Sequence, residues 1–265
     1  MKPPPFEYQA PASVEEALGL LGPDSAVLAG GQSLVPLLNL RLARPELVVD
    51  LNGVAELDYI HADDGTLRIG AMTRQAALER SELVRERWPL LHKAVRFVGH
   101  AQIRTRGTVG GSVAHADPAA ELPVALAALG ARFLLRSPRG ERALGTGELF
   151  VGPLSTSREP DELLVEIEVP EQPAGAGAGF SEHARTHGDF ATAGAAAVVV
   201  PGSQAGIALL GGGPVPARAE AAEQALVAGA SAREAADLAV QFVEGEHRRA
   251  LCGELARRAI EEALA

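Results

Sequence analysis

The sequence predicts an α+β fold, in which strands and helices are mixed along the chain. Short apolar runs of strand character stand between short amphipathic segments, and no internal repeat occurs at a fixed period. The chain has 265 residues, 47% hydrophobic and 22% charged, which allows one large domain or two. The glycine-rich residues 175–179 are the clearest change of composition, and they predict a linker between a domain of residues 1–174 and one of residues 175–265.

In the first part of the chain, apolar runs mark strands and capping residues mark the starts of helices. Ser13 and Glu16 form a capping box before a helix that runs to Leu21. Thr73 is predicted to cap a helix that ends near Arg80. The remaining strands are predicted over residues 26–29, 47–51 and 67–70, and the remaining helices over residues 33–43 and 89–98.

In the later part, strands are predicted over residues 132–135, 163–169, 193–200 and 206–210. Proline is favoured in the first helical turn, so Pro118 should open a helix over residues 118–129 with Asp117 as its N-cap. Alanine-rich helices should fill the chain from about Ala217 onward. Ser231 and Glu234 form the capping box of one of them.

Two glycine-rich segments carry the strongest functional signal. Residues 30–33 (Gly-Gly-Gln-Ser) follow the strand 26–29, and residues 110–112 (Gly-Gly-Ser) follow the strand-like pair 108–109. Glycine lets backbone N–H groups approach a ligand closely, and the serines add hydroxyl donors. One such loop can hold one phosphate, and two that converge can hold the pyrophosphate of a dinucleotide. Chance remains an alternative, because the chain has 29 glycines.

Other ligand classes have weaker support. Neither segment matches the G-x-G-x-x-G or P-loop pattern, and no serine lies in a G-x-S-x-G elbow. The net charge of −10 argues against a nucleic-acid partner. His183 and His187 lie four residues apart, but no third ligand follows at a diagnostic spacing, so we expect no metal site.

Asp117 and Glu121 are the carboxylates that follow the second glycine-rich segment closely. A carboxylate beside a pyrophosphate would repel it. Glu121 is therefore expected to meet the sugar or ring portion of a dinucleotide, where an acceptor is useful.

The single cysteine, Cys252, lies in an apolar-periodic helix and is expected to be buried. One cysteine cannot ligate an iron–sulfur cluster, so electrons would need a bound organic cofactor. The apolar stretches are too short to span a bilayer, and the N-terminus has no signal-peptide pattern. We therefore expect a cytoplasmic protein.

An ordered set of motifs adds a family resemblance. The motifs are residues 29–34 (AGGQSL), 40–45 (LRLARP), 103–112 (IRTRGTVGGS), 114–118 (AHADP) and 188–194 (GDFATAG). Together they resemble the FAD-binding medium subunit of the molybdenum hydroxylases, above all the medium chain of aerobic carbon monoxide dehydrogenases. The resemblance extends over essentially the whole chain.

The resemblance implies a two-lobed FAD-binding domain of the vanillyl-alcohol-oxidase (PCMH) type, followed by a small C-terminal α+β domain. The paired glycine segments, with no histidine in the first, predict that FAD is held without a covalent bond, and no catalytic residue is expected in this chain. The implied partners are a small subunit with [2Fe–2S] clusters and a large subunit with a molybdenum–pterin centre, assembled as a dimer of heterotrimers. Electrons would pass from the clusters through FAD to an external acceptor.

By position, the resemblance implies cofactor contacts from a first glycine segment (residues 28–35), a second glycine segment (residues 108–112), and scattered residues near the flavin. Relatives often have His at Gln32, Lys at Asn39 and a flavin-proximal Lys at Glu182. The implied cofactor-binding residues are Leu28, Ala29, Gly30, Gly31, Gln32, Ser33, Leu34, Val35, Val98, Ile103, Thr108, Val109, Gly110, Gly111, Ser112, Asp117, Glu121, Leu164 and Glu182.

Two alternatives stay open at this point. One is a stand-alone FAD-dependent oxidoreductase of the same fold, although no general acid or base stands out in the chain. The other is a nucleotide-binding assembly protein without redox activity, which the charge reversal at Glu182 permits. The sequence specifies neither the substrate of the complex nor the final electron acceptor.

Overall fold

The computed structural model describes residues 2–186 and 188–265, and these residues form a mixed helix-and-strand fold with four β-sheets. The predicted α+β class is confirmed. The strands are β1 (Glu7–Gln9), β2 (Ser25–Leu28), β3 (Leu47–Asp50), β4 (Ile60–Asp63), β5 (Thr66–Gly70), β6 (Arg132–Ser137), β7 (Gly140–Gly145), β8 (Phe150–Gly152), β9 (Ser155–Thr156), β10 (Leu163–Pro170), β11 (Gly177–His183), β12 (Ala193–Val200), β13 (Gln204–Leu210) and β14 (Ala217–Arg218). The α-helices are α1 (Val14–Leu18), α2 (Leu34–Asn39), α3 (Gln75–Arg80), α4 (Glu82–Arg87), α5 (Pro89–Val95), α6 (Ala101–Arg106), α7 (Val109–His115), α8 (Glu121–Ala128), α9 (Thr146–Leu149), α10 (Glu220–Val227), α11 (Ala232–Ala239) and α12 (Glu246–Leu264).

The first three strands form a parallel sheet in the order β1-β3-β2. Helix α1 connects β1 to β2, and α2 provides the crossover between β2 and its parallel neighbour β3. Val14 and Ala17 of α1 pack with Val49 of β3 in a small core. Leu28 at the end of β2 lies opposite Asp50 at the end of β3. The chain therefore leaves both strands at the same edge of the sheet, which positions the candidate site.

A five-stranded antiparallel sheet follows, in the order β4-β5-β10-β6-β7. Its central strand β10 is buried almost throughout, which explains the apolar run in the sequence. Helix α7 packs on β5 and β10, and α8 packs on α5 and α7. Trp88, Phe133 and Ile167 are fully buried in the core that these elements share.

The last sheet is antiparallel, in the order β11-β12-β13-β14. Helix α12 packs on β11 and β12, while α8 packs on β12 and β13. Alternate residues of β12 point to opposite faces, so Ala195 and Ala197 join the α12 side, whereas Ala196 and Val198 join the main core. The sheet is thus covered on both faces, and one face is continuous with the preceding helices.

The predicted linker is only partly irregular, because residues 177–179 begin β11. A Cβ on Gly177 would overlap the carbonyl oxygen of Ala263, and one on Gly179 would overlap that of Ala259. These two glycines therefore let α12 lie directly on the strand. The glycine-rich composition reflects close packing here, and the domain boundary between residues 174 and 175 stays a prediction.

Four predicted helices are shorter than expected: α1, α2, α5 and α8. Arg41 has φ 59°, so the chain has left the right-handed helix soon after α2 ends. After α5, the Phe97 and Val98 amides donate to carbonyls three residues back, which tightens the turn. Before α8, Asp117 Oδ1 accepts from the Ala119 amide at 2.8 Å, so Asp117 stabilises a separate turn and does not cap a helix.

Two other capping expectations have opposite outcomes. Thr73 does not cap α3, because its hydroxyl donates to the Tyr59 carbonyl at 2.8 Å and Arg74 holds the N-cap position. Ser231 and Glu234 do form the reciprocal capping box of α11. Cys252 is fully buried in α12, as expected.

Candidate functional site

The two glycine segments meet at the edge of the parallel sheet. A Cβ on Gly30 would overlap the carbonyl oxygen of Arg106, and it would lie 2.7 Å from the Cα of Gly107. A Cβ on Gly111 would lie 3.6 Å from that of Ala29. The segments are about eighty residues apart in sequence, yet the fold brings them into direct contact.

The first glycine segment presents a row of backbone donors. The amide N–H groups of residues 29–34 donate to no other residue of the described chain. Gly31 has φ +73°, and a left-handed residue within such a run makes the row of amides concave. The Gln32 side chain donates to the Gly30 carbonyl at 3.1 Å and so holds the loop from within. A concave row of free N–H groups suits an anion.

The second glycine segment differs from the sequence expectation. Thr108 is the N-cap of α7, and residues 109–112 form the first turn of that helix instead of following a strand. All four amides of this turn have internal acceptors, so the expectation that this segment offers free amide donors is wrong. The bonds run from Val109 N to Thr73 O (2.9 Å), Gly110 N to Ala71 O (2.9 Å), Gly111 N to Thr108 Oγ1 (3.0 Å) and Ser112 N to Thr108 O (3.2 Å).

The glycines of the second segment permit close packing. A Cβ on Gly110 would lie 2.6 Å from the Ala71 carbonyl oxygen and 2.7 Å from the Ala71 Cα. A Cβ on Gly111 would lie 2.6 Å from Thr108 Oγ1. The start of α7 can therefore lie against the backbone that follows β5, which supports the first segment from behind.

A cleft of about 430 Å³ opens beside the first glycine segment. Six residues expected to bind a cofactor line it, together with four that the sequence analysis missed. Two of the missed residues, Asp50 and Asn52, could have been found from the end of the predicted strand 47–51, because polar side chains at the end of one parallel strand face the end of its neighbour. The lining residues are Leu28, Ala29, Gly30, Gly31, Gln32, Val35, Pro36, Asp50, Asn52 and Arg106.

Polar contacts tie the walls of the cleft together. Asn52 donates to the Ala29 carbonyl at 3.0 Å, and Arg74 donates to Asn52 Oδ1 at 2.6 Å and to the Arg106 carbonyl. Burial pushes the pKa of Asp50 upward, but hydrogen bonds from Tyr8 and Asn52 and the charge of Arg106 outweigh burial and lower this pKa. The exposed Arg106 side chain thus brings positive charge to the cleft.

The other expected residues lie outside this cleft. Leu164 is buried in the main core, and Val98 packs against the same core half-buried. Ile103 is exposed on α6 and lies against Gly99. Ser33 and Leu34 stand at the start of α2, next to the lining residues.

Glu121 and Glu182 are two carboxyls from different parts of the chain that are withdrawn from solvent. Glu121 is the first residue of α8 and is only 7% exposed, and Glu182 lies near the end of β11. Burial, and secondarily the Asp117 carboxylate, raise the pKa of Glu121 to about 7. Burial and then the Glu121 carboxylate raise the pKa of Glu182 to about 8. Glu121 follows the C-terminal end of α7 by six residues.

The structure also bears on the possible histidine metal site and on membrane-spanning segments. His183 is exposed at the end of β11, and His187 lies outside the described residues. Within residues 2–186 and 188–265, no group of three or more His, Cys, Asp and Glu side chains is placed to hold a metal. No helix in that part of the chain is both long and apolar enough to cross a membrane.

Comparison with known proteins decides the family. The profile of the FAD-binding domain in molybdopterin dehydrogenase matches residues 4–172. The chain belongs to this family. It is an FAD-binding medium subunit of the molybdenum hydroxylase family and a component of an oxidoreductase, with FAD as its cofactor. The structure fits this cofactor, since a Cβ on Gly30 would block the contact that shapes the cleft, and the amides of residues 29–34 have no acceptor among the described residues.

Individual relatives agree with this assignment. The chain is 48% identical to the 6-hydroxypseudooxynicotine dehydrogenase complex subunit alpha of Paenarthrobacter nicotinovorans, over 86% of this chain and 79% of that one. It is 38% identical to the carbon monoxide dehydrogenase medium chain of Hydrogenophaga pseudoflava, over 100% and 99%. The structure of carbon monoxide dehydrogenase from the latter organism superimposes with a TM-score of 0.93 at 40% identity, covering 100% of this chain and 99% of that chain.

Proposed function

We propose that this chain binds FAD non-covalently and passes electrons from the [2Fe–2S] clusters of a partner subunit to an external acceptor. The observation that carries the proposal is the concave amide row of residues 29–34, which lies beside Arg106 and has no acceptor in the part of the chain that the structure describes. A pyrophosphate needs several converging donors and a nearby positive charge, and this cleft offers both.

The first glycine segment is the phosphate-binding element of this proposal. Arg106 adds the charge-assisted donor, and Asn52 and Arg74 hold the loop and Arg106 in place through their hydrogen bonds. The second segment, Thr108 to Ser112, acts as the support on which the first segment rests. The half-buried side chain of Ser112 remains available to a ligand.

In this proposal, the ring end of the cofactor is bound by the predicted cofactor-binding residues that lie outside the cleft. We assign it to Glu121 and Glu182, with Val98, Ile103 and Leu164 as the apolar contacts, and with Asp117 holding the turn that positions Glu121. The division into residues 1–174 and 175–265 belongs to the same proposal, because Glu182 would then reach the cofactor from the C-terminal domain.

Bound FAD supplies the redox chemistry, since it exchanges electrons both singly and in pairs. The chain's own residues bind and orient the cofactor. The single cysteine is fully buried and cannot ligate a cluster, so electrons must arrive from another polypeptide. The relatives are named as a subunit of a dehydrogenase complex and as a medium chain, which supports this placement.

The partners in this proposal are a small [2Fe–2S] subunit and a large molybdenum–pterin subunit, assembled as a dimer of heterotrimers. A cytoplasmic location, without nucleic acid, is part of the same proposal. The relatives include enzymes that act on different compounds, so the substrate is determined by the large subunit and not by this chain.

The test has two stages. The purified chain should take up FAD, and acid precipitation should leave the flavin in the supernatant, whereas flavin in the pellet would contradict non-covalent binding. The flavin-loaded chain alone should oxidise neither aldehydes nor carbon monoxide, and activity should appear only with both partners. Strong oxidation by the chain alone would favour a stand-alone oxidoreductase, and a failure to take up flavin would favour an assembly protein.

A further inference from the structure

Asp50 is the acidic side chain that lines the cleft beside the first glycine segment. It ends β3, and in the parallel register of the sheet it lies opposite Leu28, which ends β2. Neighbouring strands are about 4.8 Å apart, and the amide row begins at the next residue, Ala29. The carboxyl group therefore stands in the same cleft as the amides, one strand away from them.

Three hydrogen bonds hold the Asp50 carboxyl in place. Tyr8 donates its hydroxyl to Oδ2 at 2.6 Å, while Asn52 donates its backbone amide to Oδ1 at 2.9 Å and its side-chain amide to the same oxygen. Asn52 is itself fixed, because its side chain also donates to the Ala29 carbonyl at 3.0 Å and accepts from Arg74 at 2.6 Å. The carboxyl is thus tied to the first residue of the amide row.

The carboxylate retains an acceptor site for a ligand. An ionised carboxylate has about four lone-pair sites, and the hydrogen bonds from Tyr8 and Asn52 use three of them. Among the described residues, Tyr8 is the one donor to Oδ2, so the unused site is on that oxygen. Asp50 is half-buried and lines the cleft, so a bound molecule can reach it. Burial raises the pKa of Asp50 less than its hydrogen bonds and the charge of Arg106 lower it, so the group is an ionised acceptor at neutral pH.

The negative charge of Asp50 does not close the cleft to a phosphate. Arg106 lines the same cleft, and its positive charge acts on the carboxylate. Arg74 brings a second guanidinium group, which donates to Asn52 Oδ1 and to the Arg106 carbonyl. Two guanidinium groups and a row of amide donors outweigh one carboxylate. The cleft therefore suits a ligand that has a phosphate and, next to it, a hydrogen-bond donor.

A ribose fits this description, because it is linked directly to the phosphate of a nucleotide and has two vicinal hydroxyl groups. In doubly wound dinucleotide-binding folds, an acidic residue about twenty residues after the glycine-rich turn binds a ribose hydroxyl. Asp50 follows Gly30 by 20 residues and ends the neighbouring parallel strand. The carboxylate therefore stands at the equivalent place, although the glycine pattern of this chain is different.

The apolar wall of the cleft indicates which half of FAD lies there. Leu28, Val35 and Pro36 line the cleft. A Cβ on Gly31 would lie 3.2 Å from Val35 Cγ2 and 3.3 Å from Leu28 Cδ1, so both side chains lie over the glycine segment. A planar base can pack on this wall. Since the proposed contacts of the flavin ring lie outside the cleft, adenine is the base that fits here.

We propose that the Asp50 carboxylate accepts a hydrogen bond from a ribose hydroxyl in the adenosine half of FAD, which makes the cleft selective for a ribose over a deoxyribose. The inference rests on the proposed cofactor site. Tyr8 and Asn52 are positioning residues in this contact, because they hold the carboxylate and leave one site of Oδ2 to the ligand.

The experiment compares the affinities of FAD and three analogues by flavin fluorescence titration of the wild-type chain. In two analogues the adenosine ribose lacks either the 2′ or the 3′ hydroxyl, and in the third hypoxanthine replaces adenine. One of the two deoxy analogues should bind about tenfold more weakly than FAD, because it lacks a hydrogen bond to a charged acceptor. The hypoxanthine analogue should bind within about threefold of FAD, because packing holds the base.

Asp50→Asn distinguishes a direct contact from a structural role. The variant should bind FAD about tenfold more weakly, and the difference between FAD and the sensitive deoxy analogue should fall to within about threefold. If Asp50 only held the loop, the variant would weaken all the flavins equally and keep the tenfold ratio. Asp24→Asn is the matched control, since Asp24 is exposed just before β2, at the opposite end of the same sheet. It should keep the wild-type affinities and ratio.

Three results would overturn the inference while the proposed function stands. Both deoxy analogues bind the wild-type chain as tightly as FAD, or Asp50→Asn keeps the wild-type ratio, or only the hypoxanthine analogue loses affinity, which would place the carboxylate on the amino group of the base. The analogue series on the wild-type chain decides the question even if Asp50→Asn fails to fold. A wild-type chain that takes up none of the four flavins overturns the proposed function itself.

Discussion

The two glycine segments have nearly the same sequence and opposite hydrogen bonding. In the first, the amides of residues 29–34 have no acceptor within the described chain. In the second, each amide from Val109 to Ser112 donates to a carbonyl or to the hydroxyl of Thr108. Similar glycine-rich sequences therefore provide a binding surface in the first segment and a structural support in the second.

The surroundings explain the difference. The first segment leaves β2 at the open edge of a parallel sheet and faces a cleft, so nothing within the chain lies opposite its amides. The second passes beside residues 71–73, whose carbonyls accept its first two amides, and Thr108 caps the third. A glycine pair shows that the backbone comes close to something, and only the fold shows whether that is a ligand or another part of the chain.

The largest expected effect is a loss of folding stability, which should be greater for an alanine substitution in the second glycine segment than in the first. Gly110→Ala places a Cβ against the Ala71 backbone, and we expect a loss of about 3 kcal/mol in the free energy of unfolding. Gly31→Ala meets only side chains but must adopt φ +73°, which costs about 1–2 kcal/mol, and it should weaken FAD binding about tenfold. Denaturant unfolding and FAD titration measure the two effects.

Gly22→Ala is the control for both glycine variants, since nothing lies within 4 Å of the added Cβ. It should change neither quantity. The comparison fails if Gly110→Ala leaves stability intact and weakens FAD binding alone, because the second segment would then be a binding surface.

Arg106→Ala tests the charge of the cleft. A charge-assisted hydrogen bond to a phosphate contributes about 1.5–3 kcal/mol, so FAD should bind about thirtyfold more weakly with little change in stability. Added salt should weaken binding by the wild-type chain more than by this variant. Arg80→Ala removes an exposed arginine from α3 as the matched control. Equal losses from both variants would show that only net charge matters.

Thr108→Ala tests the support directly. It removes the acceptor of the Gly111 amide, and loss of an N-cap costs about 1 kcal/mol. We expect that loss in unfolding experiments and less than about a threefold change in FAD affinity per folded molecule, because the hydroxyl is engaged within the helix. Thr108→Ser should restore stability. A large loss of affinity at unchanged stability would place this hydroxyl on the cofactor.

Much of this fold follows from the sequence. The strand 193–200 was predictable from a continuous apolar run, and the structure explains the run by burial on both faces. The capping box at Ser231 predicted α11 because a cap is a local interaction. The short polar strands β4 and β7 were missed, since their pairing partners, and not their own residues, determine them.

The site was predictable only where local sequence determines it. Glycines 30 and 31 marked the cleft, but Asn52 and Arg106 enter it through strand register and a contact between distant segments. The free or bonded state of each amide depends on tertiary neighbours, so the role of the second segment could not be derived from its residues.

The smallest expected effect is a change in stability with pH, and it distinguishes the surroundings of the two glycine segments. Asp50 stands beside the first segment and has a pKa below its ordinary value, while the cap of the second segment is the neutral Thr108. A lowered pKa in the folded state adds stability above the unfolded pKa of about 3.8, and this stability is lost as the pH falls through the folded value. Asp50→Asn should therefore lower the melting temperature by about 1–2 °C near neutral pH, with a difference that narrows in acid. The Thr108→Ala difference should stay constant over the same range, because no proton is involved. Melting curves of the wild type and the two variants at several pH values check this. If the melting-temperature difference of Thr108→Ala also narrows in acid, the stabilities of the two glycine segments are coupled.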